Sequence, residues 1–446
     1  MASATTAALI MVVLTVVTLI LGFPIGLAIG IGSAAATMTI LPFDQALITA
    51  AQRFFTGANS FSLLAIPFFV LAGNIMNNGG IAKRLIGCAR LVAHRLPGDL
   101  AQTNLVANML FGAISGSGVA AASAMGSILG PMEKDEGYAE DYSDAANIAS
   151  GPTGMMIPPS NIMIVYATVA GSVSIAALFM AGYIPGILWG LGCMILAGIV
   201  AKKRGYISHE HYDMKRTLKV LWQGIPSLLL IVIVIGGILG GVFTATEGSA
   251  IAVVYSLVLS FIYRSIKIKD LPRILLESVK TTATEEFLVC VSGIMSWVMS
   301  FTKIPQLIAG SLMDLTSNPI IILLIMNVVL LIVGTFMDPV PAVLIFTPIF
   351  LPICQSFGMN AVHFVLMIVM NLCVGTITPP VGAILFAGCK IANVKIEGVI
   401  RQLLPYFAIV CVALLLVTFI PFLSLAIPDA LGLVTLPADF NMFFVV

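Results

Sequence analysis

Two short polar strings interrupt apolar sequence in this chain, and they are where chemistry could be done. Residues 100–132 hold no charged side chain, yet they are divided by Ser115-Gly116-Ser117-Gly118. In the other half, Met337-Asp338-Pro339-Val340-Pro341 plays the same part, and Asp338 is the only charged residue in the 75 positions from Leu315 to Cys389. A carboxylate among that many apolar residues is costly and points to function. Asp followed by Pro is also a standard opening of a helix, so Asp338 is read both as a cap and as an ion or proton ligand. The Ser-Gly string has a plain reading too, since small residues let helices pack closely. A polar string at both positions favours two re-entrant turns.

Two further strings carry paired prolines: 151–161, containing Gly154, Pro158, Pro159, Ser160 and Asn161, and 375–382, containing Gly375, Thr376, Thr378, Pro379 and Pro380. Proline removes a backbone donor and clashes with the preceding turn, so each pair breaks or kinks its helix. Carbonyls freed in lipid must face protein, water or a cation. Unwound carbonyls with Ser and Thr hydroxyls suit Na⁺, and exposed helix N-termini suit an anion. The candidate ion and substrate positions are therefore these residues together with Ser115, Gly116, Ser117, Met337 and Asp338. Ser115, Ser117, Asp338 and Thr378 are the best candidates for Na⁺. No other cofactor is expected.

One shift relates these strings. Moving by 221 positions takes Ser117 to Asp338, Pro131 to Pro352, Gly154 to Gly375, and Pro158-Pro159 to Pro379-Pro380. A constant offset over about 60 residues signals duplication. Five spans separate the copies, and an odd number turns the second upside down, the inverted repeat of secondary transporters.

The elements that must position these residues are membrane helices. The chain has 446 residues, is 59% hydrophobic and 9% charged, and has a mean hydropathy of +1.10. Soluble domains carry about a quarter charged residues, so lipid is the solvent for most of this surface. Mostly apolar stretches near the ~20 residues that a span needs fall at 5–22, 24–41, 61–79, 175–201, 225–243, 246–263, 284–302 and 399–423. Placing the basic clusters Lys83–Arg95, Lys202–Lys219 and Arg264–Arg273 in the cytoplasm leaves only Arg53 and Lys303 of 21 basic residues outside, with the N-terminus periplasmic. The run from Ala7 to Leu21 lacks a basic leader and reads as a retained helix.

The domain reading is N-terminal scaffold helices at 1–60 and a first repeat at 61–201, with its hairpin at 100–132 and broken helix at 142–170. A basic loop and linker follow at 202–283. The second repeat takes 284–423, with its hairpin at 315–357 and broken helix at 361–393, and 424–446 is a tail. The acidic 133–144 segment reads as a solvated cytoplasmic connector, Glu247 as an outer-face helix start, Glu285 and Glu286 as interfacial in preference to facing a polar cavity, and His363 as a cap rather than a proton relay. Asn74 and Asn371 could either satisfy backbone or line a site. The seven cysteines are scattered singly, which reads as neither disulfides nor zinc. A net charge of +1 and the lack of a basic patch argue against nucleic acid. No GxxxxGK[ST] loop, HExxH or paired intramembrane aspartate is present, so neither an ATP-driven pump nor an intramembrane enzyme is expected.

The string LLAIPFFVLAGNIMNNGGIAKRLI (63–86), then LFGAISGSGVAAASAMG, the IPPSN turn, GGVFTATEGSAIAV (240–253), FMDPVPA and TPPVG, resembles the large membrane subunit of tripartite ATP-independent periplasmic (TRAP) transporters, the DctM family, from about residue 20 to 420. One departure is Pro152, in GPTGMMIPPSN, where the family more commonly has Gly-Thr-Leu-Gly. The resemblance implies an all-α elevator transporter of the ion-transporter superfamily with two re-entrant hairpins and two broken helices. It further implies Na⁺-coupled uptake of an organic acid such as a C4-dicarboxylate across the bacterial inner membrane. The implied partners are a periplasmic substrate-binding protein and a small four-helix membrane subunit. The alternative is a stand-alone Na⁺- or H⁺-coupled anion transporter of the same superfamily.

Overall fold

The computed structural model describes residues 4–171, 173–206, 213–316, 318–437 and 440–442. Every regular element among them is helical. Among the described residues, seven helices are long and apolar enough to cross a bilayer: Phe61–Asn78, Ile175–Arg204, Thr217–Leu239, Ala245–Ile262, Pro319–Phe336, Pro339–Ser356 and Ile396–Phe419. Their outward faces are apolar, with Trp222 79%, Val232 63% and Val254 62% exposed. Such a surface needs lipid.

Local sequence sets most helix starts. Ser174, Asn318, Asp338 and Asn360 each accept a backbone N–H one to three residues into their helix, satisfying donors that the first turn leaves open. Thr244 and Glu247 form a reciprocal capping box, so Glu247 does mark a helix start.

The duplication appears in the element boundaries. The first hairpin is Asp99–Ser115 with Gly118–Asp135, and the second is Pro319–Phe336 with Pro339–Ser356. Ser115 to Phe336, Gly118 to Pro339, and Asp135 to Ser356 are each 221 apart, as are the helix starts Glu140 and Ala361, and Ile175 and Ile396. Both broken helices are present. The first runs Glu140–Ser150, Thr153–Met156 and then Asn161–Ala170; the second runs Ala361–Thr376 and then Ala383–Ala392. The peptide bonds Pro158-Pro159 and Pro379-Pro380 are both cis.

The two copies pack crosswise. Gly118–Asp135 of the first hairpin lies against Ala383–Ala392 of the second broken helix, and Pro339–Ser356 of the second lies against Asn161–Ala170 of the first. Helix Ala361–Thr376 runs through the centre, buried from Val362 onward. Around this body, the pair Ile25–Ile40 and Phe43–Ala58 packs on the long helix Leu271–Phe301, and Ala65–Asn78 packs on Ala245–Ile262.

Two expectations fail. Segment 133–144 is not solvated throughout: Glu133, Tyr142 and Asp144 are 1%, 1% and 4% exposed. The turn folds back under the hairpin, where Tyr138 stacks on Tyr206 and the Tyr142 hydroxyl donates to the Ala197 carbonyl. His363 is not a cap, since Asn360 fills that role. It is fully buried, its Nδ1 2.6 Å from Ser424 Oγ and its Nε2 3.1 Å from the Thr418 carbonyl, tying the central helix to the C-terminal ones. His209 and His211 lie outside the described residues.

Candidate functional site

Both hairpin tips open onto one cavity of about 180 Å³. The first tip contributes Ser115 through Ala120 and the second Asp338, Pro339 and Val340. Asn161 and Ile162 enter from the first broken helix, and Thr376, Ala383 and Ile384 from the second. Asn74, Asn77, Thr281 and Glu285 come from the surrounding helices.

The backbone explains what the cavity can hold. Four helices begin at its wall, at Gly118, Asn161, Pro339 and Ala383. Each N-terminus carries roughly half a positive charge from its aligned peptide dipoles, so four together favour an anionic group. Two other helices end there, at Ser115 and Thr376. Their last carbonyls have no helical partner and suit a cation. Each repeat therefore supplies both kinds of end, because the chain stops and restarts a helix at each interruption.

The caps are tight. Ser117 Oγ accepts from Ala120 N at 3.3 Å, and Asp338 Oδ1 accepts from Val340 N at 3.1 Å. Asp338 is thus the helix cap that its sequence allows, and it also lines the cavity. Gly116 has φ +64°, which lets the chain reverse where a side chain would be strained.

Of the sequence candidates, Ser115, Gly116, Ser117, Asn161, Asp338 and Thr376 line the cavity. The others act behind it. A Cβ on Gly154 would strike the Gly112 backbone, and one on Gly375 would strike Gly334. These glycines let each broken helix lie directly on its hairpin. Ser160 donates to the Met155 carbonyl across the first break, with Pro158 and Pro159 buried beside it. The Thr378 hydroxyl donates to the Val374 carbonyl at 2.6 Å, and Pro379 and Pro380 are exposed. Met337 caps the C-terminal end of the second hairpin's first arm.

Glu285, read from sequence as interfacial, lines the cavity instead, with Oε2 buried and without a hydrogen-bond partner. Its helix, Leu271–Phe301, packs on the second hairpin, which turns this face inward. Asn74 lines the wall while its amide donates to Ser278 Oγ at 2.8 Å. Asn371 stays behind the site, donating to Asn327 Oδ1 and the Met367 carbonyl.

The family model for the DctM component of tripartite ATP-independent periplasmic transporters matches residues 12–423. This chain belongs to the DctM family. It is a large permease subunit of a TRAP-type secondary transporter, as the resemblance implied. The C4-dicarboxylate TRAP transporter large permease protein DctM of Pseudomonas aeruginosa is 38% identical over 401 residues, covering 90% of this chain and 94% of that one. The isethionate TRAP transporter permease protein DctMQ of Oleidesulfovibrio alaskensis is 39% identical over 405 residues, covering 90% of this chain and 63% of that longer one. The crystal structure of the Alcanivorax borkumensis YdaH transporter superposes with a TM-score of 0.65 at 14% identity, over 84% of this chain and 88% of that one. At that identity the likeness is one of fold.

Proposed function

We propose that this DctM-family permease imports an organic anion coupled to Na⁺, with both bound at the hairpin tips. The carrying observation is the cavity on which four helix N-termini and two helix C-termini converge. The N-termini take the acid group of the substrate. The C-terminal carbonyls, Asp338 and the tip hydroxyls take the cation, and Thr376 has a better placement for this than Thr378. Relatives named for a C4-dicarboxylate and for isethionate both carry organic anions, a carboxylate and a sulfonate, so the shared chemistry is the anion. In this reading the hairpins and broken helices move as one body against the outer helices, an elevator, since they pack crosswise. The partners are a periplasmic binding protein that delivers substrate and a small membrane subunit, in the bacterial inner membrane with the N-terminus periplasmic. A permease protein named DctMQ, longer than this chain, fits a two-part membrane unit.

The test is uptake in vesicles containing this chain, the small subunit and the binding protein. Ser117→Ala, Asp338→Asn, Thr376→Ala and Thr378→Ala should weaken Na⁺ dependence, Thr378→Ala least. Unchanged Na⁺ dependence in all four would overturn the assignment. Undiminished uptake without the binding protein would instead favour the stand-alone transporter. The ligand that co-purifies with the binding protein names the substrate.

A further inference from the structure

A second polar cavity, of about 340 Å³, lies at the base of the first hairpin, away from the tips. It is lined by both hairpin arms, by helix Glu140–Ser150 and by the end of Ala383–Ala392. Three carboxylates line it; Glu140 stands at the rim, while Glu133 and Asp144 are buried, 1% and 4% exposed. Glu133 Oε2 and Asp144 Oδ2 are both buried without a hydrogen-bond partner. Asn104 and Ser143 flank Glu133, and Cys389 and Asn147 flank Asp144. The cation on the lining is Lys134, whose ammonium stands at the exposed rim, 2.7 Å from Glu140.

Such an arrangement is not self-sufficient. Two buried carboxylate oxygens without donors leave negative charge uncompensated, which folding tolerates only when a proton or a cation joins them. The remaining donors are all oxygens: two carboxylates, the Ser127 and Ser143 hydroxyls, and the Asn104 and Asn147 side chains. An all-oxygen set suits a hard cation rather than a soft one. Among the described residues no three His, Cys, Asp or Glu side chains gather as a metal site; with one proton shared between Glu133 and Asp144, the pair carries a single negative charge that one monovalent ion neutralises.

A line of hydrogen bonds also runs from the cavity up to the break in the first broken helix. Asn104 donates to Glu133 Oε1, Asn108 donates to Asn104, Asn147 and Ser150, and Asn147 donates to the Ala122 carbonyl. Thr153 then donates to the Ser150 carbonyl, one residue before the Gly154 contact with Gly112. This buried line crosses four helices, two of the hairpin and two of the broken helix.

We propose that the base cavity is a second cation site, holding one Na⁺ between Glu133 and Asp144 and pinning the first hairpin to the first broken helix. It is separate from the tip site and does not depend on Na⁺ binding there.

The experiment measures ²²Na⁺ binding and melting temperature of the purified full chain in detergent, in Na⁺ and in choline. The variants are Glu133→Gln, Asp144→Asn and, for the tip, Asp338→Asn. Glu133→Gln and Asp144→Asn should each lose one Na⁺ per chain or weaken one class of sites at least tenfold. Because an amide removes the buried charge, they should also melt higher than wild type in choline while losing the base site's share of the Na⁺-dependent rise. Asp338→Asn should keep that share. Equal stoichiometry and affinity in the base variants would overturn the proposal. So would a stabilisation that follows pH alone, with Na⁺ and choline equivalent, or one given by Mg²⁺ or Ca²⁺ but not by Na⁺. A failure at Asp338 with the base site intact touches the tip reading only.

Discussion

A single methyl group at Gly154 probes how the broken helix is held against its hairpin. A Cβ built there falls closer than 3.0 Å to Gly112 backbone atoms, whereas ordinary van der Waals contact begins at 3.4 Å. Both sides of the contact are main chain, so no side chain can swing away. Hairpin and broken helix would have to part by roughly 1 Å, and overpacking of that kind costs about 1–3 kcal/mol. At 1.36 kcal/mol per tenfold, the assembled tip becomes roughly 5- to 150-fold less favoured. The mirror contact gives an internal replicate, because a Cβ on Gly375 strikes the Gly334 backbone in the same way. Gly236→Ala serves as the control: its Cβ meets nothing within 4 Å, and alanine raises helix propensity by up to ~1 kcal/mol. Melting temperature in detergent and initial uptake rate would both be read. Gly154→Ala and Gly375→Ala should lower both, and Gly112→Ala combined with Gly154→Ala should be less than additive since the two share one contact. Wild-type melting and uptake in Gly154→Ala would refute the claim that backbone contact sets the tip.

Asp338→Asn should leave stability almost unchanged, because Asn caps as well as Asp, whereas Asp338→Ala should cost about 1 kcal/mol. Uptake should fall in both, and full uptake in the Asn variant would remove the charge from the mechanism. Glu285→Gln should fold normally and shift the Na⁺ concentration for half-maximal uptake by about tenfold; an unmoved midpoint would make Glu285 a bystander. His363→Leu removes two buried links between the central and C-terminal helices and should destabilise by about 1–3 kcal/mol, visible as a lower melting temperature, with Na⁺ dependence of the remaining uptake intact.

Sequence alone determined what depends on neighbours in the chain. Apolar runs of sufficient length dictate spanning helices, Asn318, Asp338 and Asn360 dictate where helices begin, and paired prolines dictate where they break. The offset of 221 was legible because duplication preserves spacing, and it holds at five helix boundaries. Tertiary structure decided which face of each helix looks inward. Thr376 closes its helix and reaches the cavity, whereas Thr378 lies past the helix end and turns its hydroxyl back to the Val374 carbonyl. Glu285 became a wall residue because its helix packs on the second hairpin, and Glu133 and Asp144 became buried because their turn folds beneath the first. A charged residue near a membrane boundary has the same local sequence whether it meets water or protein. Which one it meets is settled by segments far along the chain that pack over it.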